Sequence, residues 1–210
     1  MPDLAKVLPY ILGAAISPLL LVTTIYILAL PKDPIKKSLI YLLGGTSTIA
    51  ILTFFIFYTT SINPNPAPNK DLAPHLIIGV LLLFLAYGIY AKGPAKAKKQ
   101  GSASKNYWSY LGLGFLLMVT NFTTLAMIFE VALELRAGHI LGTDKAIYFA
   151  ITIISSVAPI LLPLLILLLA GKYSRKILIV LSDFMSKYSN IVTAIFFAIL
   201  GVFSIIKPFV

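Results

Sequence analysis

Small polar residues, glycines and prolines sit in the middle of otherwise apolar runs, and they are the residues with the most chemistry to offer. They are Ser17-Pro18, Gly44-Gly45-Thr46-Ser47, Thr120-Asn121 with Thr124, and Ser155-Ser156 with Pro159. Proline donates no amide hydrogen bond and clashes with the carbonyl one turn earlier, so it frees backbone acceptors. The serines and threonines add hydroxyls at the same depth, and Asn121 adds a primary amide. Such a layer can hold a polar headgroup or a small solute. It can equally serve helix packing, because small residues let helices approach and hydroxyls satisfy neighbouring carbonyls. Four clusters at one depth favour the binding reading. Asn121 is the most informative of them, since an amide in hydrocarbon is costly without a partner.

The apolar runs of the chain cover 7–30, 35–58, 72–90, 108–133, 146–170 and 191–206. Each is close to the roughly 20 residues that span a bilayer. The composition agrees: 59% hydrophobic and only 11% charged, against about a quarter charged in soluble domains. The expected fold is an all-α integral membrane protein of six transmembrane helices. The first run is too long for the apolar core of a cleaved signal and is read as a permanent span. Nearly the whole chain is consumed, which leaves one membrane domain, 1–210.

The breaks fall in the first, second, fourth and fifth runs, and the third and sixth have none. Three crossings per half insert the second half upside down, so the expected architecture is two inverted three-helix repeats. The repeats cover 1–91 and 108–210, joined by a basic linker over 92–107. A short amphipathic helix near 174–187, with Arg175, Lys176 and Lys187 flanking apolar residues, is expected at the membrane surface. The polar pocket is expected between spans 1, 2, 4 and 5, with the apolar spans 3 and 6 at its periphery.

Net charge is +10. Of the 17 basic residues, 12 lie in the three connections 1–2, 3–4 and 5–6. The positive-inside rule then places those connections in the cytoplasm and both termini outside, in a cell membrane. This accounts for the charge without a nucleic-acid partner. Cysteine is absent, which excludes disulfides and thiolate metal sites.

No nucleophile–base pair or metal cluster stands out, so neither an enzyme nor a cofactor is expected. Glu130 and Glu134 are one turn apart near the outer end of span 4 and are expected to pair with Arg136, with a gating role as the alternative. His75 and His139, read as lone residues on separate outer loops, do not suggest a metal site even with Asp71 and Asp144 available. The expected partners are membrane lipids and a lipid or small-molecule substrate. A homodimer is a further possibility.

Three stretches carry a family likeness: Leu12-Gly13-Ala14-Ala15-Ile16-Ser17-Pro18; Ile154-Ser155-Ser156-Val157-Ala158-Pro159 with Leu169-Ala170-Gly171; and Ala198-Ile199-Leu200-Gly201-Val202. Their order resembles the lysine-exporter (LysE-type) superfamily, and within it most closely the glycolipid-addressing, or sulfolipid-addressing, group. Members often carry an Asn-Pro-Lys-Asn-like run in span 4, where this chain has Asn121-Phe122-Thr123-Thr124 and keeps only the first asparagine. The resemblance implies a transporter that helps to move glycolipids or related envelope lipids. A scaffold assisting lipid export and an amino-acid exporter are the alternatives. The thiol–disulfide branch is excluded by the missing cysteines.

Overall fold

A computed structural model describes residues 4–61, 72–91, 106–137 and 142–206. Helix accounts for 93% of the described residues, and no strand is found among them. Among the described residues eight α-helices follow in chain order: α1 Leu4–Ala14, α2 Pro18–Leu28, α3 Pro34–Ser61, α4 Leu72–Ala91, α5 Tyr107–Val119, α6 Phe122–Ala137, α7 Gly142–Leu169 and α8 Ser174–Ile206. The linker 92–105 and the loop 62–71 lie outside the described residues, as does His139.

Among the described residues, three helical stretches are long and apolar enough to cross a bilayer: Val7–Leu28, Pro34–Thr59 and Thr143–Leu169. Two further stretches qualify as bent pairs. Tyr107–Val119 and Phe122–Arg136 meet at 58°, and Ser174–Met185 and Asn190–Ile206 at 64°. His75–Ala91 is a shorter apolar helix.

Only two of the four expected breaks interrupt a helix. Pro18 is the first residue of α2, a position that wastes no amide, and residues 15–17 separate it from α1. Thr120 and Asn121 separate α5 from α6. By contrast, α3 runs unbroken through Gly44, Gly45, Thr46 and Ser47, and α7 runs unbroken through Ser155, Ser156, Pro159 and Pro163. The expectation of breaks there is corrected. Glycine costs a helix only about 1 kcal/mol, and close packing outweighs it here.

That packing is visible at Gly44 and Gly114. A Cβ on Gly44 would overlap the Leu111 carbonyl, and one on Gly114 would overlap the Tyr41 carbonyl. The backbones of α3 and α5 therefore touch, as small residues allow in membrane helices. A second close pair joins α4 and α8, where a Cβ on Gly79 would lie 2.8 Å from the Gly201 oxygen and one on Gly201 would lie 2.9 Å from the Gly79 oxygen.

Specific contacts give the helix directions. The Tyr107 hydroxyl donates to Asp33 Oδ2 at 2.9 Å, and Lys37 Nζ lies 5.5 Å from the Tyr110 ring centre. The starts of α3 and α5 are therefore side by side, and these helices run parallel. Lys145 Nζ donates to the Phe57 carbonyl at 3.3 Å, and Gly45 approaches Ile160, so α3 and α7 run antiparallel. Ser204 reaches the His75 carbonyl, so α4 and α8 are antiparallel as well. Gly13 packs on Met127, and Ser17 meets Asn121, so the first span runs antiparallel to α5–α6.

The amphipathic part of α8, Ser174–Met185, packs against α2 and α7. Its Leu178 is buried in a small apolar cluster with Leu21, Ile25, Leu28 and Leu164 from α2 and α7. Ile177, Ile179, Val180 and Phe184 remain exposed.

Candidate functional site

The break between α1 and α2 meets the break between α5 and α6. Asn121 Nδ2 donates to Ser17 Oγ at 3.1 Å. The Asn121 Oδ1 atom accepts from Thr123 Oγ1 at 2.7 Å and, more weakly, from the Thr124 amide at 3.4 Å. Asn121 is thus both the N-cap of α6 and a bridge to the other span. Thr124 Oγ1 donates to the Ala14 carbonyl at 3.2 Å, so it satisfies an acceptor freed where α1 ends. Ser17 is buried and its side chain does not cap α2. Its hydroxyl instead receives the asparagine amide. The first-turn amides of α2 therefore have no side-chain cap, and the positive ends of α2 and α6 both open at this junction.

Ser17, Pro18, Asn121 and Thr124 are therefore brought together. The other expected site residues are arranged differently. Ser156 Oγ donates to the Thr152 carbonyl at 2.7 Å, on its own helix. Thr120 Oγ1 does the same to the Leu116 carbonyl at 2.8 Å. These are local bonds to the carbonyl one turn back, and they leave those hydroxyls engaged. A Cβ on Gly45 would face Ile160 at 3.2 Å and Met118 at 3.5 Å, which sets the middle of α3 against α5 and against the Pro159 region of α7. Thr46 and Ser155 are half-buried, and Ser47 is exposed. No bond from any of these to the Ser17–Asn121 pair is found among the described residues.

A second polar group is not legible as a unit in the sequence. His75 is not on a loop but buried in α4, and its Nδ1 lies 2.8 Å from Glu130 Oε2. Ser204 Oγ donates to Glu130 Oε1 at 2.6 Å and lies 3.1 Å from the His75 carbonyl. Glu130 is completely buried, and Glu134 is nearly so. The expected pairing of Glu130 with Arg136 is corrected: Glu130 turns inward to His75 and Ser204. The Arg136 Nε atom has no hydrogen-bond partner among the described residues. The i, i+4 spacing of the two glutamates is the one local signal of the group. Their partners on α4 and α8 are 55 and 74 residues away.

Compared with known families, the chain matches the one described as "Sap, sulfolipid-1-addressing protein" over residues 7–207. No curated protein and no solved structure matches it.

Proposed function

Because this chain belongs to the sulfolipid-1-addressing protein family, we propose that it is a lipid transporter that passes a glycolipid or similar amphiphile through the junction of its two broken spans. The observation that carries this reading is the Asn121–Ser17 contact. It joins two helix breaks and leaves the uncapped amides of α2 beside it. Half-helix N-termini of this kind attract polar and anionic headgroups.

The proposed architecture is six crossings in two inverted repeats of the LysE type. Three antiparallel crossings support it. Span 1 meets span 4 at Ser17 and Asn121, span 2 meets span 5 at Gly45 and Ile160, and span 3 meets span 6 at Gly79 and Gly201. A twofold axis in the membrane plane would bring each helix against its own counterpart in this way. The proposed path includes Pro18, Thr124 and the α3–α7 contact near Gly45 and Pro159, and catalysis plays no part in it. Membrane lipids are the proposed partners.

A second reading is a membrane scaffold for lipid export. The back-bonded hydroxyls of Thr120, Thr152 and Ser156 and the tight Gly44–Gly114 packing favour it. Reconstitution separates the two. Purified protein in liposomes with a fluorescent glycolipid in one leaflet should equilibrate the probe between leaflets. The Asn121→Leu variant should not, while still migrating as a folded monodisperse protein. Probe movement equal to that of protein-free liposomes would leave the scaffold.

A further inference from the structure

We propose that Glu130, Glu134 and His75 form a binding site for one divalent transition-metal ion of the zinc class, where α6 and α8 end and α4 begins. Each residue offers one ligand atom, and these atoms lie within 4.8 Å of one another. All three residues are buried. Zinc binds nitrogen and oxygen ligands at about 2.0–2.2 Å. Closing on a shared ion therefore needs movements of less than about 1 Å per ligand atom.

Charge balance argues for a cation. Two ionised carboxylates in one buried site repel each other. A divalent ion offsets both and leaves the imidazole neutral, which is the form that ligates. The donor set also selects the ion. Magnesium and calcium prefer all-oxygen shells, whereas an imidazole with two carboxylates suits zinc and its first-row neighbours.

The surroundings match a supporting shell. Ser204 donates to Glu130 Oε1 at 2.6 Å, and Oε2 sits 2.8 Å from His75 Nδ1, a contact that a shared ion would replace. Hydrogen bonds of this kind orient metal ligands. The phenol of Tyr10, wholly buried, adjoins Ser204 and Glu130 from α1. Four helices thus contribute to one polar centre at a position that belongs to neither span break.

The test uses the full chain in detergent, free of any histidine tag and stripped with a chelator. Equilibrium dialysis should return one zinc ion per chain, undisturbed by a hundredfold excess of magnesium or calcium. The absorption edge of the bound zinc should report one imidazole with oxygen ligands. His75→Gln and Glu134→Gln should each weaken zinc binding by about 100-fold or more, and Ser204→Ala by about 10-fold. The wild-type measurements need no variant, so they decide the matter even if a variant does not fold. Well under one ion per chain, an all-oxygen shell, or undiminished zinc binding in folded His75→Gln would each overturn the proposal.

Discussion

Asn121 performs two tasks with one side chain, and substitution can separate them. Its Oδ1 caps α6 and its Nδ2 reaches Ser17. Asn121→Ala removes both and should cost about 1 kcal/mol of stability, as the loss of an N-cap does. Asn121→Ser keeps a capping oxygen and gives up the long reach to α2. It should therefore unfold close to the wild-type temperature and still transport lipid several-fold more slowly. Thermal unfolding in detergent and the leaflet-exchange assay measure the two effects separately. Equal loss of stability in Asn121→Ala and Asn121→Ser would show that capping is not the stabilising task. Ser17→Ala should slow transport less than Asn121→Leu does, because it leaves an amide that water can still satisfy.

Among the elements, the contact of α3 with α5 is the most sharply defined. It depends on the absence of side chains at Gly44 and Gly114. Gly114→Ala drives a methyl into the Tyr41 carbonyl and should destabilise the protein by about 1–3 kcal/mol, the usual cost of overpacking. Gly112, two residues earlier, has open space where its Cβ would be. Gly112→Ala should be neutral, or stabilising by up to about 1 kcal/mol through helix propensity. The two alanines differ only in what they meet, so their unfolding midpoints should move in opposite directions or at least separate clearly. If they moved together, backbone contact between α3 and α5 would not hold this part of the bundle. The same comparison explains why the Gly44–Ser47 run suggests a helix break and does not make one. A glycine pair reads alike from sequence whether it ends a helix or admits a neighbour.

For the whole molecule, the contacts gather the described helix termini at two opposite ends. Asp33 with Tyr107, and Lys37 with Tyr110, bring the start of α3 and the start of α5 to one end. Lys145 with Phe57, and Ser204 with His75, mark the other. Lys32, Lys36 and Lys37 lie at the first end, so the positive-inside rule predicts that it is cytoplasmic. Single cysteines introduced as Ser102→Cys and Asn65→Cys should label from opposite faces of intact cells. An impermeant reagent added outside should reach position 65 and spare position 102. Labelling at 102 alone would invert the assignment, and labelling at both would remove the crossing between them.

Some of this is written locally in the chain. A run of 20 apolar residues has few homes other than lipid, and a proline or asparagine within it announces itself by type. The membrane class, the breaks at Ser17-Pro18 and Thr120-Asn121, and the family likeness are therefore legible in the amino-acid sequence by itself. They depend on composition and on neighbours within a turn. What Asn121 bonds to, whether Gly45 ends a helix or packs against one, and whether Glu130 faces Arg136 or His75 are not legible there. For Asn121 and Glu130 those outcomes are set by residues 55–104 positions away, and for Gly45 by Met118 and Ile160, all brought close only when the helices pack. A glutamate buried in a helix bundle takes the partners that other helices deliver to it. Helical periodicity says which face Glu130 occupies, and only the tertiary structure decides that α4 and α8 cover that face with a histidine and a serine.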